Sequence, residues 1–167
     1  MNYLDALNYG NKFLKIGSNK SYSLDTELLL SKVVNLSRDK ILINLKNKLN
    51  EKNFNEFKKL LTRRRNNEPI AYIFKKKEFW RYEFKVNKEV LIPRPETEII
   101  VNKTLKFINI NSAKSILDIG TGTGCILISI LKERANCTGT AIDISKKALN
   151  VAINNAKMHH LENKIKF

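Results

Sequence analysis

The sequence is poor in cysteine and proline and has no long apolar run. Its 167 residues include two cysteines and three prolines, and no apolar stretch approaches the roughly 20 residues of a membrane-spanning helix. Cys125 and Cys137 lie in apolar segments, and the N-terminal segment lacks the basic and then apolar layout of an export signal. We therefore expect a soluble protein of the reducing cytoplasm, with no membrane partner.

Histidine is scarce as well. His159 and His160 are the only two, and their polar neighbours at the end of a predicted helix indicate surface residues rather than a general base. No spacing of His, Cys, Asp and Glu fits a metal site, and no nucleophile motif occurs. We therefore predict no metal and no catalytic residue within this sequence.

Positive charge, by contrast, is abundant. Lys and Arg number 31 against 16 Asp and Glu, a net charge of +15, which suggests a polyanionic partner such as RNA. The excess is spread along the chain, so a generally solvated basic surface explains it better than a dedicated nucleic-acid stripe. The best local candidates for a basic patch are Arg63, Arg64 and Arg65, with Lys75, Lys76 and Lys77.

The pattern of apolar residues in positions 1–75 predicts a small bundle of helices. Four segments each carry an apolar stripe on one side, and short polar turns separate them. The most economical arrangement turns the four stripes inward. They are Leu4, Leu7 and Leu14, in a helix that Gly17 can close; Leu29, Val33 and Leu36 after Ser23; Ile41, Leu45 and Leu49; and Phe54, Phe57 and Leu61.

The pattern changes at Pro69, which is expected to stop the helices. Residues 76–94 predict a β-hairpin linking two domains, because "FWRYEFKVN" and "EVLI" are rich in aromatic and branched residues. The turn is expected near Asn87 and Lys88. Pro95 then suits the first turn of a helix that carries Ile99, Ile100, Leu105 and Ile108.

Beyond Asn111 the sequence alternates between strands and helices. "SILDIG", "TGTAIDI" and "KIKF" are typical of short strands, and "CILISILKER" and "SKKALNVAINNAKMHH" of helices. Such alternation predicts right-handed crossovers and a parallel sheet. The fold class is therefore α/β, with a helical bundle at the N-terminus and a parallel sheet within residues 95–167.

Glycine is rare, six residues in all, yet Gly120, Gly122 and Gly124 occupy alternate positions in the first strand-to-helix turn. That turn lies at the carboxyl edge of the sheet, where open α/β folds bind ligands. Glycine permits positive φ and lets a ligand approach the main chain, and the following helix N-terminus favours an anionic group. One glycine suffices for a plain turn, so three predict ligand contact.

The ligand class follows partly from spacing. The third place of a GxGxxG fingerprint falls on Cys125 or Leu127, so the dinucleotide pattern does not fit. Asp143 ends the next strand, where a carboxylate can accept hydrogen bonds from both ribose hydroxyls, which supports a cofactor built on adenosine. The alternative is that Asp143 only caps the following helix, although Ser145 is better placed to do so.

The motif "LDIGTGTG", followed by Asp143, resembles the cofactor site of class I methyltransferases that use S-adenosylmethionine. The strings "LLTRRRNNEPIAYI", "EFW", "VLIPRPETE" and "ILDIGTGTG" together resemble the glutamine methyltransferases of peptide-chain release factors, and "SLDTELLL" resembles their N-terminal helical domain. The resemblance covers nearly the whole chain. It implies that residues 95–167 form the first half of a Rossmann-like methyltransferase domain.

The resemblance also implies roles for single residues. The loop would hold the methionine part of the cofactor, Asp143 its ribose, and Asp118 would organise the loop from behind. Arg94 would border the substrate channel, and the helical domain would help to hold the release factor. The basic surface would then serve an acidic protein rather than RNA, so no nucleic-acid binding is required. The implied loop residues are Gly120, Thr121, Gly122, Thr123 and Gly124.

The sequence departs from this family's pattern. Family members commonly have glycine where Lys75 and Arg81 stand, and the family's catalytic Asn-Pro-Pro-Tyr segment does not occur. We therefore expect a catalytically incomplete piece, in which the strand "SILDI" becomes an open apolar edge and makes the chain marginally stable or prone to self-association.

Two other functions stay open. One is a methyltransferase acting on RNA or on another protein, and the other is a module that binds release factor or cofactor without turnover. "LIPRPETE" and the helical prefix favour the release factor enzyme over the first of these.

Overall fold

The computed structural model describes residues 1–15 and 21–167, which form two compact units, Met1–Phe74 and Lys75–Phe167. Gly17, the expected end of the first helix, lies outside the described residues. Within the described residues, no helix is both long and apolar enough to span a bilayer. The same residues contain no group of three His, Cys, Asp or Glu side chains placed to bind a metal ion.

The first unit is helical, and its core confirms most of the predicted stripes. Leu7, Leu14, Leu29, Phe57 and Leu61 are all buried in one cluster, so the helices turn their apolar sides inward as expected. The helices are α1 (Tyr3–Lys15), α2 (Tyr22–Val34), α3 (Arg38–Ile43), α4 (Glu51–Arg65) and α5 (Ile70–Phe74).

Several details of this unit differ from the sequence-based prediction. Leu4 is 45% exposed, and Ala6 takes its place in the core. Helix α3 ends at Ile43, so Leu45 lies beyond it. Pro69 does not stop the helices, because its carbonyl accepts the main-chain N–H groups of the first turn of α5, and proline is tolerated at a helix start.

The three consecutive arginines are engaged within the first unit. Arg63 makes two hydrogen bonds to the carboxylate of Glu68, of 2.7 and 2.6 Å. Arg64 pairs with the buried Asp25 at 2.7 Å. The Arg65 guanidinium lies 4.7 Å from the centroid of the Phe13 ring. These contacts explain the run of arginines without a polyanionic partner.

The second unit begins with a hairpin of β1 (Lys76–Phe79) and β2 (Tyr82–Lys85). Phe79 pairs with Tyr82, so the turn is at Trp80–Arg81, and the prediction of a turn near Asn87 and Lys88 is wrong. The segment "EVLI" forms no strand. Burial decides the register, because it places Phe79 and Phe84 in the core at 1% and 0% exposure.

Pro95 begins a short 3-10 turn, Pro95–Thr97, which leads into α6 (Glu98–Phe107). Ile99 and Ile100 lie in this helix as predicted but are 60% and 48% exposed, and Val101 is the residue of the helix that is fully buried. The carboxylate of Glu98 accepts a hydrogen bond from the main-chain N–H of Trp80 at 2.8 Å. This bond joins the start of α6 to the hairpin turn.

The remainder of the second unit confirms the α/β prediction. Three parallel strands run in the order β3-β4-β5, with a helix after each of the first two. Strand β3 is at the edge, and its Leu117 and Ile119 are 59% and 74% exposed. Within the described part of the chain, β3 is thus an edge strand with an exposed apolar face, while self-association stays a prediction. The elements are β3 (Ser115–Ile119), α7 (Cys125–Glu133), β4 (Thr138–Ile142), α8 (Lys146–Met158) and β5 (Ile165–Lys166).

His159 is not the plain surface residue that the sequence suggests. Its ring packs against the rings of Tyr82 and Phe84, and its Nε2 lies 2.9 Å from the carbonyl oxygen of Glu83. Burial lowers the pKa of the imidazole below its usual value. His159 therefore serves to pack α8 against the hairpin.

Candidate functional site

The loop from β3 to α7 contains three glycines with positive φ. These angles are +76° at Gly120, +54° at Gly122 and +79° at Gly124. A Cβ added at Gly120 or Gly122 would meet no atom within 4 Å, whereas one at Gly124 would lie 3.0 Å from Ile128 Cδ1 and 3.4 Å from Ala152 Cβ. The first two glycines thus leave the main chain open to a ligand, and the third permits close packing of the loop on α7 and α8.

The two threonines of the loop turn inward. Thr121 and Thr123 are 6% and 2% exposed. The Thr121 hydroxyl donates to Asp118 at 2.7 Å, and the Thr123 hydroxyl oxygen accepts from the main-chain N–H of Cys125 at 3.3 Å. Both side chains therefore hold the loop, and any contact they make with a ligand runs through their main chain.

Asp118 lies behind the loop, at the end of β3. Burial raises the pKa of its carboxyl, an effect that the bond from Thr121 and the main-chain N–H of Leu127 partly offset and that nearby Asp143 reinforces. Burial also raises the pKa of the Cys125 thiol to about 11, so this cysteine is a neutral thiol rather than a nucleophile at physiological pH.

Asp143 joins the loop to the start of α8. One carboxylate oxygen accepts the main-chain N–H of Gly122 and the other accepts that of Ser145, each at 2.9 Å. Ser145 is the helix cap, since its hydroxyl oxygen accepts the N–H of Ala148 at 3.2 Å. Each carboxylate oxygen can accept a further hydrogen bond, so Asp143 can hold the loop and two ligand hydroxyls together.

An apolar surface next to Asp143 was not predicted from the sequence. Ile144 is fully exposed, and Ile119 and Ile142 at the ends of β3 and β4 are 74% and 43% exposed. The signal in the sequence was "IDI", in which one isoleucine lies on each side of the carboxylate. These side chains offer a flat apolar group a surface beside the polar cradle.

Arg94, predicted to border the substrate channel, is exposed in the segment before α6.

Each unit contains a region that matches a known family model. Residues 5–74 match the family model described as the PrmC N-terminal domain, and residues 110–167 match one described as a methyltransferase domain. The chain is 42% identical to a release factor glutamine methyltransferase of Buchnera aphidicola over 94% of its length, and 42% identical to one of Leptospira interrogans over 92%. The chain is thus similar to release factor glutamine methyltransferases over most of its own length.

The chain spans about half the length of these two curated relatives, 56% of the first and 54% of the second. Among solved structures, an RNA methyltransferase of Salinibacter ruber in complex with S-adenosyl-L-homocysteine aligns with 46% of this chain and 48% of its own, at 24% identity and a TM-score of 0.39. This likeness is too slight to carry an argument about the chain.

Proposed function

We propose that this chain carries the cofactor-binding and partner-binding part of an enzyme that methylates the side-chain amide of a glutamine in a peptide-chain release factor. The methyl donor is S-adenosyl-L-methionine, which supplies an electrophilic methyl group on a sulfonium. The protein is expected to work in the cytoplasm, with a protein substrate and without a nucleic-acid or membrane partner.

The open cradle formed by Gly120, Gly122 and Asp143 is the single observation that carries the proposal. The bare main chain leaves room where a Cβ would stand, and the start of α7 directs positive helix potential toward that room, where an amino acid carboxylate fits. Asp143 has acceptor capacity left for the two ribose hydroxyls, and the exposed Ile144 fits the flat face of an adenine. The residues therefore suit each part of the proposed cofactor.

The substrate proposal is supported by the similarity to release factor glutamine methyltransferases. An amide nitrogen is a poor nucleophile because its lone pair is delocalised, so catalysis depends on orienting it toward the methyl group. The sequence contains no Asn-Pro-Pro-Tyr, the segment to which this orienting role belongs in the family. We therefore expect these 167 residues to bind the cofactor without transferring its methyl group.

The helical unit is proposed to contact the release factor. It matches the family model described as the PrmC N-terminal domain, and its net basic surface suits an acidic protein. Because Arg63, Arg64 and Arg65 are engaged within the unit, the run of arginines gives no support to an RNA partner, which needs cations that are free to meet phosphates.

Calorimetric titration with S-adenosyl-L-methionine tests the cofactor site. Asp143→Ala is expected to bind about 10-fold to 100-fold more weakly than the unaltered chain, since charge-assisted hydrogen bonds are lost. Glu162→Ala, which removes an exposed carboxylate elsewhere in the same unit, is the matched control and is expected to bind normally. Equal binding by Asp143→Ala and the unaltered chain would remove Asp143 from the site.

Methyl transfer tests the substrate. With labelled cofactor, this chain is expected to label neither a release factor nor RNA, whereas a longer chain that includes an Asn-Pro-Pro-Tyr segment is expected to label the release factor at glutamine. Labelling of RNA by either chain would favour the RNA methyltransferase alternative.

A further inference from the structure

Asn155 is a polar residue buried in the middle of α8, with 0% exposure. Its carbonyl oxygen accepts the main-chain N–H of Lys85 at 2.7 Å. Its amide nitrogen donates to the carbonyl of Lys85 at 3.0 Å and to the carbonyl of Thr123 at 2.9 Å. Both amide protons and the oxygen are therefore used, and all the partners are main-chain groups.

These partners belong to two segments that are distant in sequence. Lys85 ends strand β2 of the hairpin, and Thr123 lies between two positive-φ glycines of the ligand loop. A loop so rich in glycine has little stiffness of its own, so its shape depends on contacts from outside. Asp118 holds the side chain of Thr121 and Asp143 holds the N–H of Gly122, while Asn155 holds the carbonyl of Thr123.

The direction of that carbonyl matters to a ligand. While Asn155 binds it, the negative end of the Thr123 peptide points into the protein. A released carbonyl is free to turn toward the cradle, where it would repel the carboxylate of a bound amino acid group. The bond to Asn155 therefore keeps the cradle suitable for an anionic group.

We propose that Asn155 is a positioning residue for the cofactor loop, and that by also binding both main-chain groups of Lys85 it joins the loop and the hairpin into one rigid element. The proposal rests on the proposed function, because the cofactor is the ligand whose binding it affects. Asn155 itself touches no reacting atom.

Two variants remove the contacts in different ways. Asn155→Leu keeps the branched shape at Cγ and removes all three hydrogen bonds. Asn155→Asp keeps the shape and the acceptor for the N–H of Lys85 but removes both donors. Ser129→Ala is the matched control, because Ser129 is equally buried in α7 and its hydroxyl has no hydrogen-bond partner within the described residues.

The test combines calorimetric titration with S-adenosyl-L-homocysteine and amide hydrogen exchange at Gly122 and Gly124, both well below the unfolding transition. Each Asn155 variant is expected to bind about tenfold more weakly, the effect of losing about one net hydrogen bond, and to exchange the loop amides faster. Ser129→Ala is expected to change neither. Unchanged affinity and unchanged loop exchange in a folded Asn155 variant would overturn the proposal, whatever the loss in Tm.

The proposal and the proposed function can fail separately. If the unaltered chain binds no cofactor, the proposed function fails, and loop exchange still decides the role of Asn155. If neither variant folds, the side-chain amide protons of Asn155 in the unaltered chain decide it. Slow exchange of these protons together with a shift on adding S-adenosyl-L-homocysteine would support the proposal, and exchange as fast as at a surface amide or the absence of a shift would overturn it.

Discussion

The carboxylate of Asp143 and the main-chain N–H of Gly122 are joined by a 2.9 Å hydrogen bond. The residue expected to hold the ribose thus also holds the central glycine of the loop. Because Asp143 has both tasks, its substitution alters the loop as well as the ligand contacts, and an independent substitution in the loop is needed to separate the two.

Gly122→Ala is that substitution. Its Cβ would project into the open cradle from a residue at φ +54°, so we expect about tenfold or greater loss of cofactor affinity with a stability cost of about 1–2 kcal/mol. Titration calorimetry and thermal unfolding measure the two effects. Gly139→Ala is the control, since its Cβ would lie 2.7 Å from Cδ1 of the buried Leu127. We expect this variant to lose about 1–3 kcal/mol of unfolding free energy by overpacking. While it is folded, it should keep its affinity for the cofactor. Normal binding by Gly122→Ala would contradict the account of the cradle.

The ion pair between Arg64 and Asp25 is expected to stabilise the helical unit. Their side chains are 18% and 7% exposed, so Arg64→Gln removes the positive charge that faces a buried carboxylate and should cost about 3 kcal/mol in urea-induced unfolding. Arg63→Gln breaks a pair whose side chains are 40% and 33% exposed and should cost less than about 1 kcal/mol. Equal losses in the two variants would argue against a special role for the buried pair.

Replacing Lys75 by glycine is expected to stabilise the protein. Its φ is +59°, a left-handed conformation that disfavours a residue with a Cβ, so Lys75→Gly should raise the free energy of unfolding by about 0.5–1 kcal/mol. Lys77 lies in β1 opposite Phe84, and Lys77→Gly should instead lower the free energy of unfolding by about 0.5–1 kcal/mol. Thermal unfolding of the two variants checks the opposite signs, and destabilisation by both would show that Lys75 is not strained.

The exposed edge of β3 is expected to drive self-association of the 167-residue chain. Leu117 is 59% exposed on this strand, and a charge there opposes edge-to-edge pairing. Leu117→Lys should therefore sediment as a monomer at concentrations at which the unaltered chain associates. A monomeric unaltered chain at all concentrations would sink this prediction. Ile116→Lys, which places the charge against the core cluster instead, should unfold the unit.

The features set by local pattern were predictable from the sequence. The stripe positions Leu7 and Phe57 lie in the core because helical spacing determines which side of a helix is apolar. The positive φ angles of Gly120 and Gly122 could be predicted, because glycine is rare elsewhere in the sequence and recurs at alternate positions in this turn. The placement of Asp143 beside the loop follows from strand ends meeting at one edge of a parallel sheet.

The features set by tertiary contacts were not predictable. Trp80 and Arg81 form the hairpin turn although neither is a typical turn residue, because this register buries Phe79 and Phe84. The partners Asn155 and Thr123 are 32 residues apart and no motif links them. The pair Arg64 and Asp25 likewise joins two helices across 39 residues.

Titration of the isotopically labelled chain with S-adenosyl-L-homocysteine, followed by amide NMR shifts, tests the central claim most directly. A bare main-chain cradle predicts that the largest saturable shifts occur at Gly120, Gly122 and Ile144, with little change in residues 1–74. Saturable shifts centred elsewhere, or none at Gly122 at concentrations that saturate related methyltransferases, would contradict it.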